Sequence, residues 1–206
     1  IKTAYGQWRP ATPPLIWCPS GTDGLGPGDY FGKGMGDAAQ GEVKIGLVGA
    51  AYPGSPIEYF LKDCASRKYP ENPEITNACE TIYGDVAGAP NNGNSGGYQW
   101  IMDLAKKAQQ RGVIKGIIFH QGESNTKNKA QWPGLVNKLV TDLRTDLGLK
   151  AADVPFIAAE LVCCGMNDAV QQIPNVISNG HYVSADGLTR KDSFHTGQFP
   201  GPDEAF

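Results

Sequence analysis

GIIFHQGESN, residues 116–125, changes character halfway along. Gly116 to Phe119 is a short apolar run of the kind a buried strand needs. His120, Gln121, Glu123, Ser124 and Asn125 then follow with only Gly122 between them. An open parallel α/β sheet accounts for this junction. Its strands are buried, and ligands bind outside their carboxyl ends. The apolar half of the stretch is then the strand, and the polar half is the loop at its active edge.

The flanking sequence supports that placement. VKIGLVGAA (43–51) and DVPFIAAELV (153–162) are further apolar runs expected as buried strands, and HYVSADGL (181–188) is expected as a fourth. Between them lie helical patterns. Ile101, Leu104, Ala105 and Ala108 share one face before Gly112, and Leu135, Val136, Leu139, Val140, Leu143 and Leu147 mark a second helix closed by Gly148. Asp168 to Ile173 reads as a short helix. Strands alternating with amphipathic helices predict one α/β domain over 1–206, a three-layer α/β/α sandwich with a central, mainly parallel sheet of flavodoxin-like type. The opening 32 residues read as loop-rich, and 62–94 as an irregular excursion.

Bulk properties narrow the function. The chain has 206 residues and a formal net charge of −3, with no block of like charges, which argues against nucleic acid or an anionic membrane as partner. It begins at Ile1, with no initiator Met or signal peptide in view. Cys64 and Cys79 bracket a polar loop that a disulfide would close, stabilising by roughly 3 kcal/mol in the chain-entropy model. Cys18, Cys163 and Cys164 remain, with a pairing to Cys18 open, as is the alternative of five reduced cysteines. No Cys-x-x-Cys pair suggests zinc, and neither metal nor cofactor is expected.

The loops could hold hydrolase chemistry. Asp192-Ser193-Phe194-His195 is a D-x-x-H arrangement, in which a carboxylate can hold one imidazole nitrogen while the other faces a nucleophile. By itself the motif is weak, because D-x-x-H recurs by chance and more often marks a surface histidine near a helix start. Gln121 offers a side-chain N–H to a developing oxyanion, and Gly54, in Tyr52-Pro53-Gly54-Ser55, offers an unobstructed backbone N–H. The bland reading of HQGE is a set of structural hydrogen bonds tying a loop down.

Five segments in order carry a resemblance: WRPATPPL (8–15), GLGPGDYFG (24–32), IGLVGAAYPGSPIEYF (45–60), GIIFHQGESN (116–125) and DGLTRKDSFH (186–195). Together they resemble carbohydrate esterase family 6 and the sialate O-acetylesterase-like group of the SGNH hydrolases. HQGES is the most specific of them. The resemblance implies an SGNH fold and removal of acetyl groups from carbohydrate esters, acetylated xylan first, by an acyl-enzyme route in a secreted protein. It makes His195 the general base and Asp192 its orienting carboxylate, with Glu123 sharing or replacing that role. Gln121 and Gly54 would form the oxyanion hole.

The family's nucleophile is a serine in a Gly-Gln-Ser-Asn block on the first strand, and 1–206 has none: Gly6-Gln7 is followed by Trp8, and Gly197-Gln198 by Phe199. The nucleophile is therefore expected upstream of Ile1, on an N-terminal segment that completes the sheet. Ser55 and Ser124 align with non-nucleophilic positions. The expected partner is an acetylated polysaccharide or oligosaccharide, with acetylated sialic acid as the nearest rival substrate. A non-catalytic carbohydrate-binding domain is the rival from another class. Trp8 and Trp17 either flank a sugar groove or cover core.

Overall fold

The computed structural model describes residues 8–13, 15, 26–51, 54–64 and 97–188. The first element among the described residues is α1 (Pro27–Ala39), which the loop-rich reading missed. Pro27 supplies a preset φ at the first helical position. Asp29 fastens the start: its carboxylate accepts the Gly26 N–H at 2.8 Å and the Leu15 N–H at 3.0 Å. Four glycines in the helix cost up to about 1 kcal/mol each against alanine. At one of them, Gly32, the helix packs closely on Leu47, whose Cδ1 would lie 2.4 Å from an added Cβ and would have to shift.

The segment 43–51 corrects an expectation. It forms no strand, and Val43 and Val48 stand 62% and 46% exposed. It is held instead by Leu47 against α1 and by the Trp8 ring, which lies 3.1 Å from where a Gly46 Cβ would be. An apolar run needs a ladder neighbour to become a strand, and among the described residues this one has none.

After the short 3-10 turn Ile57–Phe60, α2 (Gly97–Gln109) buries Tyr98, Met102 and Ala105 along one stripe. Then come β1 (Ile117–Phe119), the 3-10 segment Glu123–Asn128, and α3 (Trp132–Asp146). β2 (Phe156–Ala159), the short helices α4 (Asn167–Val170) and α5 (Ile173–Val176), and β3 (Gly180–Val183) complete the described elements. The strands lie in the order β1-β2-β3, all parallel, with Ile117 opposite Phe156 and Phe156 opposite Gly180. Each parallel neighbour is reached through helices, as an α/β fold requires.

The expected stripe of α3 is the observed one: Leu135, Val136, Leu139, Val140 and Leu143 are buried. With fully covered Trp132 and Phe156 they form the centre of the core. The strands are shorter than expected. Only alternate residues of β2 are deeply buried, Phe156 and Ala158, while Ile157 and Ala159 are partly open. Arg144, buried near the end of α3, donates to Ser178 O and Val154 O, both at 2.7 Å, and so ties the approaches to β2 and β3 to the helix.

Candidate active site

The carboxyl ends of all three strands meet the same edge of the sheet. At β1, the polar tail first noted in sequence turns away as the 3-10 segment Glu123–Asn128. Gly122 makes that turn possible. Its φ is +153°, and a Cβ there would come within 3.1 Å of Leu161 Cδ1, so a side chain would be both strained and crowded.

The tail is a clip. Asn125, 1% exposed, accepts the Ile57 N–H at 2.9 Å and a Gln121 Nε2 hydrogen at 2.7 Å. Its own amide donates to Glu58 Oε2 at 2.8 Å and to Asn128 Oδ1 at 3.0 Å. Asn128 donates to the other Glu58 oxygen. Ser124 Oγ donates to Gly54 O at 3.0 Å. These bonds span almost 70 positions and fasten 54–58 to the end of β1.

Gln121 lies inside the clip. Nε2 donates to Ser55 O at 3.1 Å as well as to Asn125, and Oε1 accepts Trp132 Nε1–H at 2.6 Å. Both amide hydrogens are thus engaged within the protein. Gly54 is different. Its φ is +68°, nothing lies within 4 Å of its would-be Cβ, and among the described residues its N–H donates no hydrogen bond. Beside it, the buried Ser55 Oγ has no partner among the described residues.

His120, between β1 and Gln121, has its pKa pushed below the ordinary value by burial, which Glu123 partly offsets. The imidazole is therefore neutral at neutral pH, and Glu123 lies close enough to act on it electrostatically. Asp192 and His195 lie outside the described residues. The structure thus brings together Gly54, Gln121 and Glu123 of the expected set, with His120 and Ser55 beside them. The sequence sets Ser55 aside as a nucleophile because it aligns with a non-nucleophilic position, and its hydroxyl, unpartnered among the described residues, is visible only in three dimensions.

At β2 the chain leaves through Glu160, a 5% exposed carboxylate, and then Cys163 and Cys164, which are bonded to each other. That pairing excludes either of them as a partner for Cys18. Cys64 is also disulfide-bonded, and its partner lies outside the described residues. Among the described residues, no group of three or more His, Cys, Asp or Glu could hold a metal ion, and no helix is long and apolar enough to cross a membrane.

A family profile, carbohydrate esterase, sialic acid-specific acetylesterase, matches residues 2–199. The chain belongs to that family. A solved structure of a protein from Arabidopsis thaliana is similar in fold, with a TM-score of 0.65 and 22% identity over 97% of this chain and 69% of that one. Membership makes the chain a carbohydrate esterase, a hydrolase of carboxylic esters. Within this esterase fold the clip and Gly54 occupy the edge where an α/β enzyme binds its ligand.

Proposed function

We propose that this esterase removes acetyl groups from acetylated xylan through a Ser-His-Asp/Glu acyl-enzyme route. The observation that carries the reading is the joining of Gly54 to the β1 edge by the HQGESN clip within a carbohydrate-esterase chain. His195 takes the proton of the attacking serine hydroxyl as that oxygen bonds to the acetyl carbon. Asp192, or Glu123 from the β1 edge, orients the imidazole and stabilises its charged form. The Gly54 N–H receives the developing oxyanion. Collapse expels the sugar oxygen, which takes the proton from His195 and leaves an acetyl-enzyme. Water, deprotonated by His195, then releases acetate and restores the serine.

Gln121, whose amide hydrogens serve Ser55 O and Asn125, fits a bracing role better than the oxyanion role its sequence position suggests. For the nucleophile we favour a serine on a strand-forming segment outside 1–206. Among the described residues β1 pairs with β2 alone, and Ile118 is 38% exposed, so that edge has room for a further strand. Ser55 is the second reading, favoured by its unpartnered hydroxyl. Labelling the complete protein with a fluorophosphonate and mapping the peptide decides between them.

The family's own description favours acetylated sialic acid as the rival substrate. Comparing acetate release from acetylated xylan and from O-acetylated sialic acid separates the two. Xylan binding without acetate release would instead indicate a carbohydrate-binding domain. A secreted location fits the disulfides at Cys64 and at Cys163–Cys164, which persist in oxidising compartments.

A further inference from the structure

Glu160 is the first residue past β2, and its surroundings are unusual for a carboxylate. It is 5% exposed, and no cation pairs with it among the described residues. A buried charge without a counter-ion is unfavourable unless hydrogen bonds replace its water. Here they do. Oε1 accepts Gln171 Nε2–H at 2.6 Å, and Oε2 accepts Ser184 Oγ–H at 3.1 Å and the Ala185 N–H at 3.0 Å. Burial opposes the charge, but the bonds from Ala185, Gln171 and Ser184 outweigh it and hold the carboxyl below its ordinary pKa.

Two of the three donors belong to the chain just as it leaves β3. The Glu160 backbone N–H donates to Val183 O at 2.9 Å, so backbone and side chain grip consecutive residues. Ser184 relays the grip, because its Oγ also accepts the Asp186 N–H at 3.1 Å. The Leu188 N–H then returns to Ala185 O at 3.1 Å, closing a turn. From Leu188 the chain runs four positions to Asp192 and seven to His195.

We propose that Glu160 is a positioning residue whose buried carboxylate fixes the Ser184–Leu188 turn, the last described point of the chain before Asp192 and His195 in sequence. This rests on His195 being the general base. Glu160 touches no reacting atom. Its effect passes through the turn, so losing it should act on kcat rather than on KM.

The test uses the complete gene product. Glu160→Met keeps the size and removes every acceptor. It should lower kcat about 10- to 100-fold, as small misplacements of catalytic groups do, with KM within about twofold. Amides of 184–188 should exchange hydrogen faster while those of β1 and α3 do not change. Glu160→Gln should restore most of kcat and the slow exchange. Its amide oxygen can take the Ser184 and Ala185 donors while its NH2 meets a reoriented Gln171 carbonyl. If Glu160→Met does not fold, Ser184→Ala removes the relay alone and should still lower kcat several-fold with KM unchanged. Unchanged kcat in the variant that folds, or unchanged exchange over 184–188, overturns the proposal. Faster exchange confined to 184–188 in Glu160→Met, together with a wild-type protein that releases no acetate, would overturn the esterase reading and leave the brace standing.

Discussion

Asn125 and Gln121 between them satisfy the backbone of Ser55 and Ile57, the Glu58 carboxylate and the Trp132 indole. Replacing Asn125 by alanine orphans the buried Ile57 N–H and removes a donor from Glu58, at roughly 1–3 kcal/mol per buried group. Urea denaturation should show a clearly lower midpoint with an unchanged slope; a midpoint equal to wild type would mean the clip is dispensable. Gln121→Ala separates two roles. An oxyanion donor would cost about 10²–10³ in kcat with stability intact. A brace should cost stability and no more than about tenfold in kcat, which is the result expected here. His120 gives a pH signature. Its folded pKa is depressed, so the unfolded chain binds its proton first as pH falls through about 6.5. Stability that is full above that value should decline below it, and His120→Asn should flatten this part of the urea-midpoint profile between pH 7.5 and 5. A profile identical in both proteins would remove His120 from the buried edge.

At the scale of elements, hydrophobic period was a good guide where a helix had one partner surface. The stripe of α3 was legible because Leu135 to Leu143 repeat every three or four residues and all face one core. α1 was not legible, because Gly28, Gly32, Gly34 and Gly36 read as loop, and its stabilisers, Pro27 and the Asp29 carboxylate, work through contacts with Gly26 and Leu15. The segment 43–51 failed in the opposite sense. Its composition is that of a buried strand, yet a strand also needs a neighbour, and sequence does not show whether one is at hand. The HQGESN tail was placed correctly at a strand end. Its hydrogen-bond partners, 66 to 70 positions away, were beyond any local pattern. α3 is joined to this tail by Trp132, which is fully buried, tilted against Phe119 with ring centroids 6.2 Å apart, and bonded to Gln121. Trp132→Phe should keep most of the packing and leave Gln121 Oε1 unpaired, costing on the order of 1–3 kcal/mol. Trp132→Ala should cost about 3–5 kcal/mol. Equal midpoints for the two variants would show that the indole body contributes nothing beyond its N–H.

At the scale of the molecule, the parallel sheet, three-stranded among the described residues, brings three loops to one edge: the clip after β1, the Glu160 and Cys163–Cys164 turn after β2, and the Ser184–Leu188 turn after β3. Fold and edge were readable from strand and helix order. The roles of Asp192 and His195 rest on the D-x-x-H spacing and on the esterase family, whose profile spans 2–199. The most direct measurement is acetate release by the complete protein, wild type and His195→Ala, from acetylated xylan and from O-acetylated sialic acid. The expected result is release from xylan at least about tenfold faster than from the sialic acid, falling on the order of 10³-fold or more in His195→Ala. No acetate from either substrate, or His195→Ala activity within about tenfold of wild type, would contradict it.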